Sequence, residues 1–308
     1  MKIIMYHYVR NFSKDFPYFQ YLSLSSFKRQ LDFFEDEFGF VSKDDFEISL
    51  KNKTPINGII LTFDDGFRDH FNYVFPELLK RKLWGIFYVS TSPIVDNNIL
   101  DVHRIHLLLG KYGGNEIFKT LKSFITDDML VDRDVPEFSS KTYLKQDNLY
   151  STTMVKRILN YFIDYKYRKI VLDKLMEIYF PNERSLSKKF YLKTDDLKIM
   201  TTNGMVIGSH SVNHPVMSKL NKTDQGFEIK SSFETLKPFI DKKLKSFCFP
   251  YGGFHSFNNK TINILEENNC VFSMNVESRD VKTSDFEKPI HVFPRYDCNE
   301  FPYGSVDQ

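Results

Sequence analysis

Gly58-Ile59-Ile60-Leu61-Thr62-Phe63-Asp64-Asp65-Gly66 runs from an apolar segment straight into two adjacent carboxylates. The apolar part has the length of a short buried strand, and Gly66 ends it with a turn. Two acids at the tip of a buried strand are costly to desolvate unless something binds them. A metal ion is the simplest compensation, because it fixes one carboxylate and lowers the cost of the other. Taken alone, a strand followed by Asp-Asp-Gly reads more readily as an ordinary turn, so the decision rests on what surrounds it.

Working outward, Lys2 to Tyr6 reads as a strand, and Ser25 to Gly39 as a helix with a serine cap and a glycine stop. Phe27, Leu31, Phe34 and Phe38 recur in that helix at core spacing. Asp69 to Leu83 reads as a helix interrupted by Pro76, and Trp84 to Ser90 as a strand. Past residue 200 the same rhythm returns. Strands are expected at Met205–Ser209, Lys245–Phe249, Cys270–Val276 and Pro289–Arg295, and helices at Lys222–Phe239 and Ser256–Asn268. Strand–helix alternation predicts an α/β fold with a parallel sheet or barrel. At 308 residues the chain fits a single barrel domain, 1–308. Residues 96–200 break the rhythm. Val102–Leu109 and Thr152–Tyr179 carry helical periodicity, so this stretch is expected to be a mostly helical insertion that shapes the mouth of a site. Residues 298–308 read as a loose tail.

Two further strand ends carry chemistry. Gly204 to Ser209 leads into His210-Ser211-Val212-Asn213-His214, where two histidines four apart can meet one ion. With a strand-end aspartate they complete a His-His-carboxylate set, the usual donor set of a hydrolytic metal centre with a position left for water. Phe247-Cys248-Phe249-Pro250-Tyr251-Gly252-Gly253 is a third strand that breaks into a loop. Sites in α/β sheets and barrels gather at such ends.

The three segments, in this order, resemble the polysaccharide deacetylase family (carbohydrate esterase family 4). Phe67-Arg68-Asp69, Phe75-Pro76, Leu78-Leu79 and the opening Met5-Tyr6-His7 add to the likeness, which covers about residues 1–95 and 200–297. The resemblance implies a distorted (β/α) barrel of seven or eight strands. It also implies an enzyme that hydrolyses an N- or O-acyl group, usually acetyl, from a sugar. Asp64 becomes the general base, Asp65, His210 and His214 the metal ligands, and the Tyr251 backbone N–H an oxyanion donor. Zinc is the expected ion, with cobalt, nickel and manganese as alternatives. The chain departs from the common pattern twice. Cys248 stands where many members have an arginine, and Arg295 is the candidate replacement. The usual C-terminal Leu-x-x-His acid is missing. A branch of the family with a catalytic histidine near the start of the domain points to His7 as the acid, with His291 as the rival.

Composition sets further bounds. The 42 basic and 40 acidic residues are well mixed, which argues against a nucleic-acid partner. The partner expected is an acylated sugar. Three widely spaced cysteines show no disulfide or zinc-knuckle spacing, and Cys248 and Cys270, which sit in apolar runs, read as small buried apolar residues. His103 and His106 read as packing residues. Tyr161, Tyr165 and Tyr167 with Lys166, Arg168 and Lys169 read as a solvated helix face. Met1–Met5 is too short for the apolar part of a secretion signal, and no run of 18 apolar residues exists. A cytoplasmic enzyme without a membrane span is expected, acting on a nucleotide- or lipid-linked amino sugar. The competing readings are a sugar deformylase, an amidase of small cyclic amides on the same fold, and an inactive carbohydrate-binding protein.

Overall fold

A computed structural model describes residues 1–143, 148–287 and 290–305. The chain divides into two compact units. Among the described residues, the first comprises 1–11, 21–96 and the chain from 189 on, and the second comprises 12–20 and 97–188.

Among the described residues the first unit holds ten strands: β1 (Lys2–Tyr6), β2 (Val9–Arg10), β3 (Leu22–Ser23), β4 (Ile59–Phe63), β5 (Ile86–Val89), β6 (Val206–Ser209), β7 (Ser246–Cys248), β8 (Phe272–Met274), β9 (His291–Phe293) and β10 (Tyr296–Asp297). Eight form one parallel sheet in the order β10-β1-β4-β5-β6-β7-β8-β9, and β2 and β3 pair separately. The sheet curls as a distorted (β/α) barrel. Its two outer strands, β9 and β10, are consecutive in the chain with only Pro294 and Arg295 between them. The last segment therefore serves both edges of the curl.

Side-chain alternation divides the unit into an inner and an outer core. Ile3, Ile60, Ile86, Tyr88, Val206, Cys248, Phe272, Met274 and Phe293 share the inner cluster. Ile4, Tyr6, Leu61, Phe63, Phe87, Val89 and Ile207 form the outer one. Helix Leu24–Glu37, capped by Ser23, lays Phe27, Leu31 and Phe34 on that outer face. Helix Lys43–Asn52 sends Phe46 and Leu50 into the inner cluster.

Several expectations are modified. The expected helix 69–83 opens as a π turn over His70–Val74 and runs as an α-helix only over Phe75–Lys80. Pro76 has no N–H, and its ring opposes an α-helical carbonyl four residues back. The tail is not loose over 298–305. The buried Gln30 amide donates to the carbonyls of Cys298 (2.9 Å) and Pro302 (3.0 Å) and accepts from the Tyr6 hydroxyl at 2.6 Å. Asp297 caps the short turn Cys298–Glu300. Of the expected last strand, Pro289 lies outside the described residues, and β10 was not anticipated. All three cysteines are buried and reduced.

The second unit is helical over Asp101–Lys122, Pro136–Ser140, Tyr150–Arg157 and Tyr165–Tyr179. The expected helix 152–179 is broken. A π turn covers Ile158–Phe162, and Asp164 then caps a new helix through the Lys166 N–H. Arg168 is buried and donates to Asn160 at 2.9 Å, so the face read as solvated is partly core. Residues 12–20 join this unit because Phe19 packs on Gly110 and the Tyr18 N–H bonds the Gly110 carbonyl at 2.8 Å. Among the described residues no helix is long and apolar enough to cross a membrane.

Candidate metal centre

Parallel pairing brings the candidate site side chains to the C-terminal ends of neighbouring strands. β1 pairs β4 with Tyr6 opposite Phe63, so His7 and Asp64 follow at the same level. β4 and β5 pair Phe63 with Phe87, and β5 pairs β6 with Val89 opposite Ser209, just before His210. Alternation then turns Asp64 inward. Asp65 reverses to φ 76° and Gly66 to 65°, which separates the two carboxylates.

Asp65, His210 and His214 are 3%, 1% and 5% exposed. Asp65 Oδ1 lies 3.4 Å from His210 Nε2 and 3.3 Å from His214 Nε2. These separations exceed a good N–H···O bond. They match donors sharing one small divalent ion, which at ligand distances of ~2.0–2.2 Å are held about 3–3.5 Å apart. His210 Nδ1 donates to the Cys248 carbonyl at 2.8 Å, which leaves Nε2 as the donor facing Asp65. Burial opposes charge on His210, yet the Cys248 and Asp65 neighbours carry its pKa well above the usual histidine value. The donor set therefore fits a cation. A second convergence, Asp64 with His210 and Cys248, does not, because Arg295 Nη2 lies 2.8 Å from Asp64 Oδ2 and 3.0 Å from Cys248 Sγ. His103 and His106 join no such group among the described residues.

Asp64 is held by a fork. Arg295 Nη1 reaches its Oδ1 at 2.8 Å and Nη2 its Oδ2 at 2.8 Å. Arg295 is itself fully buried, with further bonds to Thr62 Oγ1 (3.1 Å) and the Asn275 carbonyl (3.2 Å). Burial alone raises the Asp64 pKa, but the guanidinium overrides it and brings it down to about 2. The small Cys248 side chain leaves room for this arginine, which arrives from the far end of the sequence.

The loop carrying the two histidines is tied at every step. Ser90 Oγ donates to the His210 carbonyl at 2.8 Å, and the N–H groups of Thr91 and Ser92 reach the carbonyls of Ser211 and Val212. Glu228 Oε2 accepts from the N–H groups of Val212 and Asn213 at 2.8 Å each, and Oε1 accepts from Asn213 Nδ2 at 2.8 Å. Burial raises the Glu228 pKa against the pull of these bonds. Sequence reading missed Glu228. Its signal was an acid at the core-facing spacing of helix Lys222–Leu236, among Gln225, Ile229, Ser232 and Leu236.

Tyr251 adopts φ 64°, and its ring lies 4.9 Å from that of His214. Ser211 and His214 are also left-handed, at 67° and 56°. Backbone held in such conformations away from glycine clusters at functional sites. His7 is half-buried and acts on Asp64 electrostatically. His291 opens β9, the strand end opposite to the one that leads into Arg295, and packs on Phe286 and Phe293. It is not brought to the site.

A family model described as Polysaccharide deacetylase matches residues 139–272, a span that includes the His210–His214 and Phe249–Gly252 segments. No curated protein sequence matches the chain. Among solved structures, it is similar to the Streptococcus pyogenes deacetylase PplD in complex with acetate (17% identity, 96% of this chain and 91% of that one, TM-score 0.55). It is also similar to a de-N-acetylase from Aggregatibacter actinomycetemcomitans (15%, 96% and 93%, 0.54). A third is the BpsB deacetylase domain from Bordetella bronchiseptica (14%, 96% and 94%, 0.53). At such identities these likenesses speak for the fold.

Proposed function

We propose, from the resemblance to the polysaccharide deacetylase family borne by both motifs and family match, that this chain is a metal-dependent hydrolase that removes an N-acetyl group from an amino sugar. The observation that carries the reading is Asp65 Oδ1 set between His210 Nε2 and His214 Nε2, with an ionised Asp64 beside it in the grip of Arg295. The PplD deacetylase was solved in complex with acetate, which supports acetyl as the group removed here.

Asp65, His210 and His214 would hold the cation, with zinc the best fit to two imidazoles and a carboxylate. Bound there, it supplies Lewis acidity to the acyl carbonyl and to water. Asp64 takes the proton of the attacking water. Its low pKa makes it a weak base but keeps it ionised, and Arg295 fixes both of its oxygens so that only their remaining lone pairs are on offer. The Tyr251 N–H, presented by a left-handed turn, donates to the developing oxyanion. His7, level with Asp64 on the next strand, gives a proton to the departing sugar nitrogen. An amide requires that proton because an amide anion is a very poor leaving group.

The test is acetate release by the metal-loaded protein from N-acetylated oligosaccharides and from nucleotide- and lipid-linked N-acetyl sugars. Acetate formation that is lost on chelation and regained with zinc is expected. Formate or a ring-opened acid as the only product would move the assignment to a deformylase or cyclic amidase. Stoichiometric sugar binding with no product would make the chain a binding protein.

A further inference from the structure

His70 is fully buried, ringed by Phe63, Phe67 and Phe87 with centroids 5.7, 5.6 and 5.8 Å away. Its Nε2 lies 2.8 Å from the backbone carbonyl of His7. A carbonyl only accepts, so Nε2 carries the proton and donates. Burial pushes the ring's pKa down to about 4, which keeps it neutral and leaves Nδ1 bare. Nδ1 is buried and meets no hydrogen-bonding partner among the described residues. Burying such an atom without a partner is unfavourable, and a phenylalanine would fill the same aromatic cage without that penalty. Packing alone therefore does not account for a histidine here.

What the ring does is visible in the chain opposite. β1 ends at Tyr6, whose carbonyl takes the N–H of Asp64 at 2.9 Å. The next carbonyl bonded to a neighbouring backbone is that of Tyr8, which takes the N–H of Leu22 at 2.9 Å. The His7 carbonyl between them is met by His70. Asp69, the adjacent residue, grips Arg10 through Nε at 2.7 Å and Nη2 at 2.6 Å. Two consecutive residues at the head of the π turn thus hold the chain just past β1.

We propose that His70 is a positioning residue for the acid: its Nε2–H pins the main chain of His7, so that the His7 imidazole is presented level with Asp64. This rests on the reading of His7 as the acid. Loss of the bond lets the strand end shift, and a displacement of about 1 Å is enough to cost up to about 10²-fold in rate.

The experiment compares His70→Phe, which fills the cage without a donor, with His70→Gln, whose Nε2 sits at the same reach. Both are made in the full-length, metal-loaded chain. Each is assayed on an N-acetyl sugar and on an activated aryl acetate, whose leaving group needs no proton. His70→Phe is expected to lower kcat on the amide about 10- to 100-fold, with KM, metal content and aryl-ester turnover unchanged, and His70→Gln to recover most of the loss. In a His7→Ala background, His70→Phe should add nothing. Equal losses on both substrates, no loss on the amide, or full additivity with His7→Ala would overturn the proposal. Should the Phe variant fail to fold, His70→Asn, whose amide is too short to reach the carbonyl, is expected to give the same selective loss and overturns the proposal if it does not. His7→Ala alone separates the premises. If it lowers both substrates equally, the acid assignment falls; if its loss is selective while the His70 variants show none, only the role of His70 falls.

Discussion

Asp64 and Arg295 form a deeply buried ion pair, with side chains 3% and 0% exposed, so neither can lose its partner cheaply. Removing one member of such a pair leaves an uncompensated buried charge, a cost of about 3–5 kcal/mol. Arg295→Met is expected to destabilise by that order in urea unfolding, and Arg295→Lys to repair it poorly because a lysine cannot fork onto both oxygens. Asp64→Asn is expected to reduce turnover about 10²–10⁴-fold while metal content stays intact. Loss of metal in that variant would make Asp64 a ligand. The pH dependence follows with a definite sign. The folded-state pKa of Asp64, about 2, lies below its unfolded value of ~3.9. Its stabilisation is therefore complete above about pH 4 and is lost as the pH falls toward 2. The stability difference between the wild type and Asp64→Asn should narrow over that window. A difference that stays constant to pH 2 would show that the carboxylate is not held as described.

At the scale of elements, the candidate metal centre depends on short connections behind strand ends. β6 ends at Ser209, and the next five residues place two candidate ligands through left-handed backbone at Ser211 and His214. Such backbone costs on the order of 1–3 kcal/mol per residue and persists because Ser90, Thr91, Ser92 and Glu228 bond the loop from both sides. Glu228→Ala removes the acceptor for three donors without touching a ligand. Zinc affinity, read by competition with a chromogenic chelator, is expected to fall about 10- to 100-fold, as for other residues that orient ligands. Unchanged affinity would show that the loop holds its shape unaided.

For the barrel unit as a whole, the decisive feature is that one C-terminal segment serves both sheet edges, β9 beside β8 and β10 beside β1. Arg295 stands between them and faces Asp64 from the closing side. The segment is secured beyond β10 by Gln30, which joins the Tyr6 hydroxyl to two carbonyls of the tail. Gln30→Ala strands these buried groups, so a loss of about 1–3 kcal/mol in denaturant unfolding is expected. No loss would mean that the tail is fastened elsewhere. Gly208 is a second such point, since a Cβ there would meet Tyr88 at 2.4 Å and Ser246 Oγ at 2.9 Å. Gly208→Ala is expected to cost about 1–3 kcal/mol by overpacking.

The sequence by itself determined the strand–helix rhythm of the barrel unit and the local chemistry of its strand ends, because both are short-range. Apolar runs stop at Asp64-Asp65-Gly66, His210 to His214 and Pro250-Tyr251-Gly252, and each segment can be recognised from a handful of adjacent residues. The same locality explains what was misjudged. Pro76 warned of a disturbed helix, yet only the packed chain shows a π turn that sets His70 against His7. The tail from Cys298 reads as loose because its fastening, Gln30, is remote in sequence. Residues 12–20 belong to the helical unit through Phe19 on Gly110, a contact no local pattern announces. Which donor atoms converge, that Arg295 occupies the space beside Cys248, and that Glu228 supports the histidine loop were decided by tertiary structure. Each depends on distances between segments far apart in the chain, and those distances are set by parallel strand register and by the inward alternation of side chains, neither of which a local pattern encodes.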